Sequence, residues 1–236
     1  IGSVFEEQEN FDKALEYYER ALKLNRDLGI DRNVGTCLNN IGEVHLKSNQ
    51  LARARKYFEE SLDYRTKAND KRGISAVYSN LAMVNMKTGR YETSLDQLYK
   101  ALKLDNEMGD KKAMSEDLVY LAEVYLHQGE VRQAIDFARQ GKALADSIEA
   151  PLQKKSSLEI LARSYEKQGN YKKALEYTRM FEDIEDELFN QEKNEQIEEL
   201  ETRYQMEKKQ EQIERQDILL EKQQAVIRRQ KFQNYA

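Results

Sequence analysis

The sequence predicts an all-α solenoid of stacked helical hairpins followed by one long helix. Three observations carry that expectation. A segment that reads as helix, turn and helix, LARSYEKQGNYKKALEY from Leu161 to Tyr177, recurs every 40 residues. Its copies begin at Leu121 (LAEVYLHQGEVRQAIDF), Leu81 (LAMVNMKTGRYETSLDQ), Ile41 (IGEVHLKSNQLARARKY) and Ile1 (IGSVFEEQENFDKALEY). A fixed period of this size marks stacked units, none of which can bury its apolar face alone. Composition agrees: 39% hydrophobic and 34% charged is polar for a compact globule of 236 residues, but sufficient where each unit packs only on its neighbours. One proline, ten glycines and no tryptophan leave long helices unbroken.

Each unit can be justified column by column. The first helix carries a small residue behind its leading apolar one, at Gly2, Gly42, Ala82, Ala122 and Ala162. Twelve positions on, the second helix carries Ala14, Ala54, Ser94, Ala134 and Ala174, so the two backbones can approach closely. The turn between them holds Asn49, Gly89, Gly129 and Gly169, residues that tolerate a left-handed backbone, while Glu9 breaks the column. A wedge follows at Phe11, Leu51, Tyr91, Val131 and Tyr171, expected to pack back on the preceding helix. The second helix then repeats Tyr17, Tyr57, Phe137 and Tyr177, with Gln97 as the exception. Leu22, Leu62 and Leu102, with Leu24, Tyr64, Leu104 and Leu144, complete what the spacing predicts to be one buried stripe. These helices end near Gly29, Asn69 and Gly109, and in the fourth unit before Pro151, which suits the first turn of the next helix.

The pattern xLAxxYxxxGxYxxALxY resembles the tetratricopeptide repeat, over about residues 1 to 185. The period exceeds the family's usual 34 residues, so both helices are expected to be lengthened. The resemblance implies a right-handed superhelical solenoid over residues 1–189, of five units with the first truncated. The long-repeat branch of the family includes kinesin light chain, spindle-orientation adaptors and peptide-sensing regulators of bacteria. It implies a non-catalytic scaffold whose concave groove takes a protein or peptide ligand.

Carried over by column, the groove candidates in the second unit are Thr36, Asn39, Asn40, Glu43 and Lys47. The third unit offers Ser79, Asn80, Met83 and Lys87, the fourth Tyr120, Glu123 and His127, and the fifth Arg163 and Lys167. Asn40 and Asn80 resemble the asparagines that hold a peptide backbone in long-repeat relatives, since an amide both donates and accepts. The same amides could instead satisfy a carbonyl at a helix seam. The ladder stops at Tyr120 and Ile160, and the lysine column could equally be solvated surface. The basic clamp of chaperone-binding relatives is not reproduced, because Asn39, Glu43, Ser79, Met83, Val119 and Glu123 stand at its positions.

Beyond the fifth unit the columns fail. Residues 190–236 are rich in Glu, Gln, Lys and Arg, with no glycine or proline to end a helix. Ile197, Leu200 and Tyr204 are expected to cap the last repeat. Met206, Ile213, Leu220 and Ile227 recur every seven residues, but Lys209, Gln216 and Gln223 occupy most of the second seam. A homodimer through residues 206–227 is therefore a marginal expectation. The segment also resembles the connector of bacterial sensor proteins, in which an extracytoplasmic repeat array leads to a membrane span and a histidine kinase or DNA-binding output. Val226, Ile227, Phe232 and Tyr235, among Arg228, Arg229 and Lys231, suit a position just before a bilayer. The rival expectation is a cytosolic adaptor with a dimerising or partner-binding tail, or a regulator of a partner enzyme. Any membrane contact would come through regions outside this chain, and Ile1, which falls within a repeat, suggests an excised segment.

Other chemistry finds little support. A net charge of −5 argues against nucleic acid. Cys37 is the sole cysteine, so no internal disulfide is possible. No phosphate loop, HExxH motif or nucleophile elbow occurs, and no cofactor or metal is expected. His45 shares a column with Phe5, Tyr125 and Tyr165 and is expected to substitute in packing; His127 shares one with three lysines and is expected on the groove side.

Overall fold

The computed structural model describes the backbone of residues 1–234 and the side chains of residues 1–216 and of Gln224. Five hairpins follow one another. They are α1 (Gly2–Glu7) with α2 (Phe11–Asp27), α3 (Asp31–Lys47) with α4 (Leu51–Lys67), and α5 (Lys71–Lys87) with α6 (Tyr91–Met108). Then come α7 (Lys111–Gln128) with α8 (Val131–Ser147), and α9 (Pro151–Lys167) with the start of α10 (Tyr171–Asn234). The chain divides by contact into Ile1–Ile184 and Glu185–Ala236. That division lies within α10, as does residue 189, so no helix break marks either position.

Every turn closes with the same backbone. Within the hairpins, the N–H groups of Asn10, Gln50, Arg90, Glu130 and Asn170 donate to the carbonyls of Phe5, His45, Asn85, Tyr125 and Tyr165 at 2.7–2.9 Å. This bond requires a left-handed residue just before the donor. Asn49 and Gly89 supply it at φ 57° and 73°, and Glu9, expected to break the column, adopts it too at φ 56°. Between units Gly29, Asn69 and Gly109 do the same, and in the fourth unit it is Glu149 at φ 53°. The two glutamates bear a steric cost of about 1–2 kcal/mol that glycine would not.

The helices of a hairpin are locked by paired sizes. Gly2 faces Tyr18 and Gly42 faces Phe58; a Cβ on Gly42 would lie 2.5 Å from Phe58 Cε1. In the third unit Ala82 shares a core cluster with Leu98, and in the fourth Ala122 shares one with Ala138. As the residue on the first helix grows, its partner on the second shrinks, which keeps the interior filled at crystal-like density. The buried stripe of the second helices is accordingly the Ala14–Tyr18 register. It continues through Ser61 and Arg65 in α4, Ala101 and Asp105 in α6, and Gly141 and Ala145 in α8. Of the stripe expected from spacing, Leu22 is buried, but Leu24 is 59% exposed and Leu62, Tyr64, Leu102, Leu104 and Leu144 are only half-buried.

The Tyr17 column instead stacks on the preceding helix. Ring centroids lie 5.4 Å apart for Phe5–Tyr17, 5.3 Å for His45–Tyr57, 5.3 Å for Tyr125–Phe137 and 5.5 Å for Tyr165–Tyr177. The third unit replaces the stack by an amide pair, with Asn85 Nδ2 donating to Gln97 Oε1 at 2.6 Å. Arg55 of the preceding hairpin completes it, donating to Asn85 Oδ1 at 2.8 Å. Gln97 is thus one half of a coupled exchange. The wedges Phe11, Leu51, Tyr91 and Val131 pack on the cores as expected, but Tyr171 is 72% exposed. Tyr91 shows why: it is covered by His127 of the next unit, with 6.1 Å between ring centroids, and among the described residues α10 runs on from Tyr171 as one helix.

Within residues 1–184 the first helices form an inner layer. Helix α3 touches α5, α5 touches α7, and α7 touches α9, whereas α2, α4, α6 and α8 are not in comparable contact with one another. A layer whose members crowd together beside one whose members spread is concave on the crowded side. The second unit of the chain, by itself, is helical and solvated. Ile197, Leu200, Tyr204, Met206 and Ile213 are exposed. Local pairs such as Glu199–Arg203 at 2.6 Å decorate its surface. Leu220, Val226, Ile227, Phe232 and Tyr235 lie outside the residues whose side chains are described.

The size pairing yields a prediction. Gly42→Ala should lower unfolding free energy by about 1–3 kcal/mol, the usual range for overpacking. Adding Phe58→Leu, which imitates Ala82 with Leu98, should recover part of the loss, so a chemical-denaturation cycle would show strong non-additivity.

Candidate functional site

The concave face falls into three polar clusters. At the second and third units, Asn39 Nδ2 donates to Glu43 Oε1 at 2.7 Å. Asn80 Nδ2 reaches back across the repeat boundary to Asn39 Oδ1 at 3.0 Å and to Glu43 Oε1 at 2.9 Å. The structure therefore brings Asn39, Glu43 and Asn80 together. It turns Thr36 onto the Arg32 carbonyl at 3.1 Å and leaves Asn40 and Met83 half-buried. In the lysine column, Lys47 Nζ binds Glu6 Oε1 at 2.7 Å and Lys167 Nζ binds the Leu126 carbonyl at 3.1 Å, each one repeat back, while Lys87 is exposed.

At the fourth and fifth units, Arg163 Nη1 lies 3.0 and 3.1 Å from the two oxygens of Glu123. His127 Nε2 stands 3.2 Å from Glu123 Oε1. These three candidates form one bridge along the inner layer. Being half-buried to exposed, it contributes orientation more than stability.

The middle cluster was only half legible. Ser79 Oγ donates to Asp117 Oδ1 at 2.6 Å, and Ser75 Oγ donates to Asp105 Oδ2 at 2.7 Å. Asp105 and Asp117 are 2% and 1% exposed. The two carboxyls perturb each other's ionisation, and Asp117 Oδ2, buried, has no hydrogen-bond partner among the described groups. Two carboxyls sharing one buried site disfavour each other's ionisation. Burial, and next the Asp105 and Glu116 charges, push Asp117 up to about 8, against the lowering bond from Ser79. Burial likewise raises Asp105.

Beside this pair opens a cavity of about 210 Å³, bordered by Glu43, Asn80, Asp105, Glu116, Asp117 and Tyr120. Tyr120 donates to Glu116 Oε1 at 3.0 Å, and burial raises its phenol well above the usual range. Sequence reasoning selected Glu43, Ser79, Asn80 and Tyr120 but missed Asp105 and Asp117. The signal was present: Asp117 stands in the column of Cys37, Val77 and Ser157, buried in each unit. Asp105 stands in that of Asn25, Arg65 and Ala145. Among the described residues no group of three or more His, Cys, Asp or Glu could hold a metal ion. No helix among them is long and apolar enough to cross a membrane.

A curved inner layer of first helices presenting polar clusters, backed by an outer layer of second helices, defines a helical-repeat scaffold. A tetratricopeptide repeat model matches residues 1–67 and 73–147, and a second matches residues 157–180. The chain belongs to the tetratricopeptide repeat family. A comparison with curated protein sequences finds no match. Among solved structures, BtubC (BKLC) from P. vanneervenii is similar at TM-score 0.69 and 15% identity, over 79% of this chain and 78% of that one. A Rap protein complexed with Competence and Sporulation Factor is similar at TM-score 0.71 and 19% identity, over 78% of this chain and 51% of that one. The Rap conjugation gene regulator of the plasmid pLS20, in complex with the Phr* peptide, is similar at TM-score 0.69 and 15% identity, over 79% and 52%. The chain thus spans about half the length of those two Rap proteins. At these identities the likeness concerns the fold.

The acid pair yields a pH prediction. An acid whose folded pKa lies above its unfolded value of 3.8 favours folding most fully below about pH 4 and loses that contribution as pH rises to about 8. Asp70 acts oppositely: its bond from Arg32 lowers it, so its contribution is lost only as pH falls below the ordinary carboxylate range. Stability measured by denaturation should therefore decline between pH 5 and 8.5, and Asp117→Asn should flatten that decline. An unchanged slope in the variant would show that Asp117 is already ionised.

Proposed function

We propose that this tetratricopeptide repeat chain is a non-catalytic scaffold that binds a protein or peptide along the concave face of α3, α5, α7 and α9. The observation that carries the reading is the cavity between the third and fourth units, where polar groups converge on open space. Packing alone would fill such a place with apolar side chains, as it does at Val77 and Leu118 nearby. The two Rap proteins of similar fold, solved with Competence and Sporulation Factor and with the Phr* peptide, support a peptide as ligand.

The candidates divide by role. Asn80, Asn39 and Glu43 hold the second and third units to each other and offer their remaining polar atoms to a ligand backbone. Arg163, Glu123 and His127 form the far wall. Thr36, Asn40, Met83, Lys47, Lys87 and Lys167 lie along the rim. A random-peptide display library panned against the chain tests this. Peptides enriched on the wild type should lose binding to Ala76→Trp, which fills the groove from an exposed position on α5, and keep binding to Lys103→Trp on the outer helix α6. Equal binding to both variants would place recognition elsewhere.

The finer reading is that the scaffold is the ligand-sensing part of a bacterial signalling protein. Its tail would carry occupancy onward through a homodimer involving residues 206–227. The exposure of Met206 and Ile213, one heptad apart, supports a seam awaiting a partner. In sedimentation equilibrium the chain ending at 236 should show twice the monomer mass and the chain ending at 190 the monomer mass. Monomers in both cases would remove the dimer relay and leave the scaffold reading intact.

A further inference from the structure

The other two buried carboxylates of the array each hold a cation. Glu6 takes Lys47 at 2.7 Å, and Asp70 takes Arg65 at 2.8 Å and Arg32 at 2.9 Å. The central cavity departs from that rule. Four carboxyl groups border it: Glu43 on α3, Asp105 on α6, and Glu116 and Asp117 on α7. Among the described residues no ion pair reaches any of the four. The one cation at the rim, Arg72 on α5, is 76% exposed and bonded to Asp110 at 3.0 Å.

Each carboxyl has local hydrogen bonds, but these come from neutral donors. Ser79 serves Asp117 and Ser75 serves Asp105. Asn39 and Asn80 both serve Oε1 of Glu43, and Tyr120 serves Glu116. Neutral donors orient a carboxylate without compensating its charge, and unpaired buried charge is strongly disfavoured. Asp117 lines the cavity at 1% exposure, and its Oδ2 has no hydrogen-bond partner among the described groups.

We propose that this cavity seats one positively charged group, the guanidinium or ammonium of a basic residue in a peptide lying along the concave face. The inference rests on the proposed peptide-binding function and names the chemistry at its centre. Size agrees with charge. A volume of about 210 Å³ equals some seven waters at ~30 Å³ each and falls below the ~300 Å³ at which small-molecule sites begin. It suits the end of a single side chain.

Without a cation in the seat Asp117 holds a proton; an entering cation replaces it, and the proton leaves to solvent. The groups facing the pair are Glu43, Arg72, Ser75, Ser79, Glu116 and Tyr120, none of which brings an unengaged positive charge. Because Asp117 is raised to about 8, binding below that pH must displace the proton and strengthens as pH rises.

The test uses the full chain and capped, amidated hexapeptide pools with one fixed residue, read by fluorescence polarisation. Pools fixed as Arg or Lys should bind best. Their affinity should rise between pH 6 and 8, by up to about tenfold per unit for one proton released. Asp117→Asn should lower it at least tenfold at pH 8 and abolish the pH slope. Glu43→Gln, half-buried and outside the acid pair, should also weaken basic pools, which keeps the test decisive if Asp117→Asn misfolds. Pools of uncharged or acidic residues that bind best, and are lost in Ala76→Trp, would overturn the cationic seat while sustaining the peptide groove. Failure of every pool would overturn both. Binding of spermidine or agmatine with the same pH slope, without binding of any basic pool, would overturn a peptide as the source of the charge.

Discussion

The close approach of the two helices in each hairpin is the constraint on which the rest of the architecture depends. Gly42 under Phe58, and Gly2 under Tyr18, leave no room for a methyl group between ring and backbone. Where alanine replaces glycine, the opposing residue is Leu98 or Ala138 instead of an aromatic ring. Hairpins of matched thickness can then stack with one spacing, and only then do the first helices form a continuous inner surface. Polar side chains on that surface meet partners one repeat away, as Asn80 meets Asn39 and Arg163 meets Glu123. The groove clusters are thus a product of regular packing, since a change in hairpin thickness would misalign donors and acceptors that must meet within about 3 Å.

The middle of the array breaks the regularity twice, and both departures are polar. The aromatic stack yields to Asn85 with Gln97, and the buried column at Val77 and Ser157 admits Asp117. Buried polar groups cost stability unless fully partnered. The Asn85 group meets that condition through Arg55 and Gln97 and is a satisfied core network. The Asp117 group does not, because Asp117 Oδ2 has no hydrogen-bond partner among the described groups. This difference separates a structural substitution from a chemically poised one, although both look like exceptions in a column.

Much of the fold was legible because the same solution is used five times. Turn residues, small columns and stacked aromatics repeat at fixed intervals, so any one ambiguous position is settled by its equivalents. The buried face of the second helices was misjudged in the later units because Leu62 and Leu102 are apolar, whereas Ser61, Arg65 and Asp105, which lie deeper, are not. Hydropathy cannot reveal a buried arginine whose site exists because Gly73 leaves space for its guanidinium and Asp70 binds it. Glu9 and Glu149 were missed as left-handed residues for a related reason: the hairpin bond fixes the backbone, and the side chain accommodates. In the site, the family pattern points only to groove columns of the first helices, so Asp105, on a second helix, and Asp117, in a column buried in the other units, were overlooked.

The Arg55–Asn85–Gln97 chain has a consequence for how such a molecule folds. Five hairpins with interchangeable faces could pair with the wrong neighbour, shifted by a whole repeat, or with a hairpin of another copy. An aromatic stack would accept many such substitutes. Asn85, fully buried, accepts few: in any other pairing the guanidinium that reaches it from the preceding hairpin would be missing. Together with the other polar contacts that cross repeat boundaries, this contact favours the native neighbour over one shifted by a repeat.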